Sequence, residues 1–302
     1  MEFDVYAAQP FDRARLACAV EILNARYPTL KFNYLGNSIL GHGIPLLTLG
    51  EGRRRVLYVG AHHGMEWITS ALLTRFLFDL CDAYERDLSV NGISVRLLLQ
   101  THTLYVVPML NPDGVNYQIH GVDESNPLRE RLLSMNGGED FSRWQANARG
   151  VDLNHNYDAD FYEYRRLAAE NGITEGAPTR YAGEAPESEP EVASLCNLIR
   201  YHAPFCGALS LHTQGEEIYY GASQDSRVRR IAEHLSKLCG YRVATAEGLA
   251  SMSGMTDWCT RVCKIPAFTL ECGKGVNPLP LSCLSFLYLQ IRSLLFQFPT
   301  LL

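Results

Sequence analysis

Basic charge is the first thing this chain lacks: 27 Lys and Arg stand against 33 Asp and Glu, a formal net charge of −6. Without a positive face, nothing recommends nucleic acid or an anionic membrane as a partner. Long hydrophobic runs are missing too, none approaching the roughly 18 apolar residues that a bilayer span requires. The start, Met1-Glu2-Phe3-Asp4, has neither the positive region nor the apolar stretch of a secretory signal. No Gly/Ser/Pro-rich linker, repeat or low-complexity tract divides the sequence. A disulfide framework is also lacking. The nine cysteines are odd in number and scattered, which fits reduced thiols in a cytoplasmic enzyme. Cys259 and Cys263 lie at helix spacing but have no evident partners for a metal.

What remains is ample for one core: 302 residues, 47% of them hydrophobic, expected to form a single domain over 1–302. Strand-like runs alternate with helical ones. Helices are expected at 67–86, 189–203, 226–239 and 282–297, and strands ahead of His63, near 95–100 and 104–110, and running up to His212 and Glu271. The 189–203 helix opens on Ser188-Glu189-Pro190-Glu191, read as a capping box with Pro in the first turn. Such alternation predicts an α/β fold, a mixed, mostly parallel twisted sheet with helices on both faces. Residues 1–33 read as a helical lead-in. The stretch 115–185, irregular and rich in charge and Gly, reads as a long insertion walling an active-site funnel.

The most informative segment is Gly60-Ala61-His62-His63-Gly64-Met65-Glu66-Trp67. It sets an imidazole and a carboxylate three residues apart where the apolar run Val56-Leu57-Tyr58-Val59 ends. Open α/β sheets expose their chemistry at such strand-to-helix handovers. Zinc takes His nitrogen and carboxylate oxygen, and a catalytic site keeps one position open for water. A third ligand candidate, His212, closes another strand-like run 146 residues past Glu66 (212 minus 66). Glu271 closes a further run, Ala267-Phe268-Thr269-Leu270, where it can take a proton from a metal-held water and return it to a leaving amine. Between them, Arg149 could stabilise an oxyanion, with Arg143 as the alternative. Asp152 could hydrogen-bond a ligand His from behind, and Asn154 and His155 have the chemistry to hold a carboxylate. Lys274 could attract a substrate carboxylate, and Glu216 and Glu217 could meet a cationic group; solvated side chains are the alternative for all three. His62 would point away from His63 on a strand, as packing or a hydrogen-bond partner. Asn111-Pro112-Asp113-Gly114 reads as turn chemistry.

The ordered set His63-x-x-Glu66-Trp67, Asn111 to Gly114, Arg149 to Asn156, Ser210 to Glu217 and Thr269 to Gly275 resembles the zinc carboxypeptidase family over nearly the whole chain. The resemblance implies one zinc ion on His63, Glu66 and His212, with Glu271 as general base, Arg149 on the oxyanion and Asp152 bracing His63. It also implies a substrate-binding set of Asn154, His155, Thr256 and Lys274. The segments His212 to Gly221 and Leu270 to Leu281 look more like a bacterial branch, the γ-D-glutamyl-meso-diaminopimelate peptidases that cut cell-wall stem peptides. Departures point the same way. His155 stands where digestive carboxypeptidases have Arg, so their bidentate carboxylate clamp is missing. Leu249 stands in place of their substrate-capping Tyr, and Met65 in place of an Arg. The expected activity is therefore hydrolysis of the γ-D-glutamyl–diaminopimelate amide of peptidoglycan-derived peptides. Two other readings are an ordinary carboxypeptidase for α-linked peptides and a zinc-dependent muropeptide-binding protein that does not cut.

Overall fold

The computed structural model describes residues 4–5, 7, 9–202, 204–221 and 225–302. Among the described residues ten strands are numbered in chain order: β1 Lys31–Asn37, β2 Gly43–Leu49, β3 Arg54–Val59, β4 Ser89–Val90, β5 Ile93–Ser94, β6 His102–Val107, β7 Phe205–His212, β8 Glu217–Tyr219, β9 Arg242–Ala244 and β10 Ala267–Glu271. Eight of them form one sheet in the order β1-β2-β6-β3-β7-β10-β8-β9, while β4 and β5 make a separate hairpin. The central strands β6, β3, β7 and β10 are mutually parallel, and antiparallel pairings flank them at β1–β2–β6 and β10–β8. The mixed, mostly parallel sheet expected from the alternation is therefore the one that forms.

Helices cover both faces because the central strands are apolar on both. In β3, Val56 and Tyr58 enter one core cluster and Leu57 and Val59 the other, the period-two alternation of a strand. The first face is covered by helices Arg13–Arg26, Ile68–Glu85, Ser226–Cys239 and Leu284–Gln297. The second packs against Pro190–Tyr201 and the segment around Met255 and Trp258. The helical segment Leu281–Leu301 is apolar and long enough by composition to cross a membrane, which a search for unbroken apolar runs overlooks. It is packed as a core helix, burying Leu287, Ile291 and Leu294 against the helices at 68–85 and 226–239.

Several local expectations are corrected. Residues Val95–Thr101 form a helix, not a strand. Val95, Leu98 and Leu99 are buried while Leu97 is exposed, the i, i+3, i+4 spacing of a helix face, and Ser94 caps it through its side chain. The strand that follows is His102–Val107, three residues short of the expected end. No capping box forms at 188–191: Glu189 occupies the cap position without a side-chain bond, Pro190 opens the helix, and Glu191 turns into the core. Asn111 to Gly114 is more than a turn, since Asn111 caps helix Pro112–His120 by accepting from the Gly114 N–H. The stretch 115–185 is not irregular throughout; it carries helices Arg129–Asn136 and Phe161–Glu170.

Candidate active site

Parallel strands β3, β7 and β10 lie side by side, so their carboxyl ends open at one edge of the sheet. Beyond Val59 the chain turns at Ala61, which has a left-handed φ of 45° and is held by its N–H to Thr69 Oγ1 at 2.8 Å and by Asn111 N–H to its carbonyl at 3.0 Å. This delivers His63 into a short 3₁₀ turn, Gly64–Glu66, that brings Glu66 to the same side. His212 ends β7, and Glu271 is its register partner on β10.

The three expected ligands converge. His63 Nδ1 lies 2.9 Å from Glu66 Oε1, His212 Nδ1 lies 3.0 Å from Glu66 Oε2, and the two Nδ1 atoms are 3.3 Å apart. All three side chains are buried. Two imidazole nitrogens and a carboxylate aimed at one point suit a cation. Tetrahedral zinc with bonds of about 2.0–2.1 Å would set its ligand atoms roughly 3.3 Å apart, so the donor set fits the ion. Asp152 Oδ1 accepts from His63 Nε2–H at 3.0 Å, which leaves Nδ1 for the metal and fixes the ring. Asp152 is itself held by the Asn154 and Arg180 backbone N–H groups.

Electrostatics follow from burial and neighbours. Burial opposes ionisation of Glu66, but the His63 charge and hydrogen bonds from both histidines outweigh it and lower its pKa to about 2. At Asp152, burial is likewise overcome, by the charges of His63 and His155, and the pKa is lowered. Glu271 goes the other way. Burial first, and then the neighbouring Glu66 charge, hold its carboxyl well above the ordinary range.

A cleft of about 600 Å³ opens over this cluster, a volume suited to a small ligand. Of the expected substrate-binding residues, Asn154, His155 and Thr256 line it. Thr256 is tied by its hydroxyl to Thr269 at 2.6 Å, and Asn154 Oδ1 accepts from the Met255 N–H. His155 is stacked on Tyr164, ring centroids 4.0 Å apart at 8°, and its Nδ1–H donates to the Met252 carbonyl. Lys274 is not brought into the cleft; it is exposed and pairs with Glu216 at 2.7 Å. Glu217 is taken by Tyr219 and Arg242, so neither glutamate is free to receive a substrate cation. Arg149 is also turned away, its guanidinium 3.7 Å from buried Glu189, and Arg143 does not line the cleft either. In their stead, the same segment contributes Gln145, whose Oε1 accepts from Thr179, leaving its amide N–H groups for the cleft. Sequence reasoning missed Gln145, Thr179, Arg180 and Tyr219, all of which line the cleft. His62 does not face it: Nε2 meets Tyr157 Oη at 2.9 Å, and the ring stacks beside His212.

Comparison with known proteins accords with this geometry. A family model described as zinc carboxypeptidase matches residues 19–282. Gamma-D-glutamyl-L-diamino acid endopeptidase 1 of Lysinibacillus sphaericus is 34% identical over 287 residues, which is 94% of this chain and 71% of that protein. The carboxypeptidase A of Helicoverpa armigera matches with a TM-score of 0.74 at 16% identity, covering 99% of this chain and 75% of that one. The murein-tripeptide amidase MpaA of Escherichia coli O157 matches with a TM-score of 0.54 at 23% identity, covering 88% and 91%. The chain belongs to the zinc carboxypeptidase family and is a zinc metallopeptidase.

Proposed function

We propose that this zinc peptidase hydrolyses the amide between the γ-carboxyl of D-glutamate and a diamino acid such as meso-diaminopimelate in peptidoglycan-derived peptides. The observation that carries the reading is the 34% identity, along nearly the whole chain, to an endopeptidase named for that linkage. The cleft supports it. His155, at the place of the missing Arg, is engaged by Tyr164 and Met252, so the Asn-Arg clamp with which the digestive enzymes hold a C-terminal carboxylate does not form here. The proposed location is the cytoplasm, which suits nine cysteines that are all free thiols and the processing of imported or recycled wall fragments.

The roles follow from position. His63, Glu66 and His212 hold the zinc, and Asp152 keeps His63 in the tautomer that presents Nδ1. When bound, the ion supplies Lewis acidity, lowering the pKa of a coordinated water to about 7 and polarising a carbonyl. Glu271 takes the proton from the attacking water and delivers it to the departing amine nitrogen. A buried carboxyl whose proton affinity is raised above the ordinary carboxylate range is suited to both halves of that transfer. Gln145, fixed by Thr179, donates an amide N–H toward the developing oxyanion, the role the sequence suggested for Arg149.

The test is product identification by mass spectrometry on L-Ala-γ-D-Glu-meso-diaminopimelate, with wild type, Glu271→Gln and chelator-treated enzyme in parallel. Wild type releases free diaminopimelate. Glu271→Gln retains zinc but loses on the order of 10²–10⁴-fold in rate, and the chelated enzyme recovers on adding zinc. Trimming of α-linked L-peptides without cleavage of the γ-linkage would replace this reading with an ordinary carboxypeptidase. Binding of the tripeptide without any turnover would leave a non-catalytic receptor.

A further inference from the structure

Among the described residues, two arginines line the cleft, Arg180 and Arg261, and Arg180 is exposed to solvent. Arg261 is committed to Asp160 by two hydrogen bonds. The Arg180 side chain has no hydrogen-bond or ion-pair partner among the described residues, although its backbone is held on both sides. Its N–H donates to Asp152 Oδ2 at 3.0 Å, and its carbonyl accepts from Tyr164 Oη at 2.9 Å. The residue sits at φ 66°, a left-handed conformation that an Arg adopts only where surrounding bonds impose it. The carboxylate that pins the Arg180 N–H also braces His63, so the main chain that carries this cation is anchored one carboxylate away from a zinc-ligand candidate.

From this placement we infer that Arg180 is the specificity residue of the site and receives the free α-carboxylate of the γ-linked glutamyl residue. The inference rests on the γ-glutamyl reading above. A γ-linked glutamate differs from any α-linked residue in keeping its α-carboxylate beside the scissile bond. Three carbon–carbon bonds of about 1.5 Å separate the reacting carbonyl carbon from the α-carbon, so that carboxylate lies within a side chain's reach of the metal ligands. A planar guanidinium pairs with a carboxylate through two parallel N–H···O bonds, whereas a carboxamide at the same place returns one N–H against another. The unpaired Arg180 would thus favour a γ-glutamyl residue by a carboxylate that α-linked residues other than glutamate do not carry at that distance.

The experiment compares kcat/KM on three synthetic tripeptides: L-Ala-γ-D-Glu-diaminopimelate, its glutamyl α-carboxamide, and the parent with the diaminopimelate α-carboxyl amidated. Wild type, Arg180→Gln and Arg180→Lys are assayed, with zinc content and thermal midpoint as folding controls. The expected result is a loss of about 30–100-fold by wild type on the glutamyl carboxamide. Arg180→Gln loses a similar factor on the parent peptide but stays within about twofold of wild type on the glutamyl carboxamide, and Arg180→Lys recovers part of the parent activity. Wild type cleaving the parent and the glutamyl carboxamide equally well would overturn the inference without any variant. So would an Arg180→Gln loss equal on both peptides, or one that follows amidation of the diaminopimelate instead. Failure of wild type to cut any γ-linked peptide would strike the underlying reading, a result distinct from these.

Discussion

Asp152 connects the metal centre to its surroundings through a single carboxylate that accepts from His63 Nε2 at 3.0 Å and from the backbone N–H groups of Asn154 and Arg180. Removing such a group behind a metal-bound histidine commonly weakens the metal by 10–100-fold. Asp152→Ala should show that loss in a zinc competition titration, and an unchanged affinity would mean that His63 is oriented by other contacts. A different carboxylate sets a pH response of the fold. Glu191 is fully buried beside Asp113 and Glu189, and burial above all raises its pKa from 4.5 to about 8. Between those pH values the folded chain keeps a proton that the unfolded chain has released. Stability from this group is therefore complete below about pH 4.5, declines through the window, and levels off above about pH 8, a span worth up to a few kcal/mol. Glu191→Gln keeps the shape and removes the titration. Its denaturation midpoint should fall less between pH 5 and 8 than that of wild type, whereas parallel curves would show that Glu191 is ionised in the folded chain throughout.

Among the elements, the short turn Gly64–Glu66 has the tightest steric demand. A Cβ on Gly64 would lie 2.4 Å from the Gly114 carbonyl oxygen and 2.8 Å from that of Trp144, both of them backbone atoms that cannot swing aside. The turn follows one ligand candidate, His63, and ends on another, Glu66, while Gly114 lies in the first turn of the helix capped by Asn111 and Trp144 precedes Gln145. Gly64→Ala must push these segments apart, with an expected cost of about 1–3 kcal/mol and weaker zinc binding together. Retention of both in urea unfolding and metal titration would show that the turn can shift as a unit. The helix at Val95–Thr101 carries a different lesson. The run Val95-Arg96-Leu97-Leu98-Leu99 is short and apolar enough to pass as a strand, and only the burial of Val95, Leu98 and Leu99 with Leu97 left in solvent separates the alternatives.

Taken whole, the molecule shows which of its features a sequence can disclose. The candidate ligands and Glu271 were legible because His212 and Glu271 close apolar strands and His63 and Glu66 follow another, and the parallel sheet order β3-β7-β10 brings those strands side by side with their carboxyl ends together. Gln145, Thr179 and Arg180 were not legible, since they lie in a segment whose path is set by remote contacts. Asn147 reaches Glu189, Asn156 reaches the Ala182 and Ala185 carbonyls, and Tyr164 reaches the Arg180 carbonyl. No local spacing encodes those contacts, which turn Arg149 toward Glu189 and bring Gln145 to the cleft. The central claim is that this sheet edge presents a zinc site selective for a γ-glutamyl amide. Its most direct test is the ratio of kcat/KM for L-Ala-γ-D-Glu-diaminopimelate to that for the isomer joined through the glutamyl α-carboxyl, at one zinc concentration. The account predicts a ratio of at least about 100 in favour of the γ-isomer, because the α-isomer carries its acylamino group next to the scissile carbonyl, where a site built for the γ-linkage leaves polar groups mispaired. A ratio near one, or below it, would contradict the account.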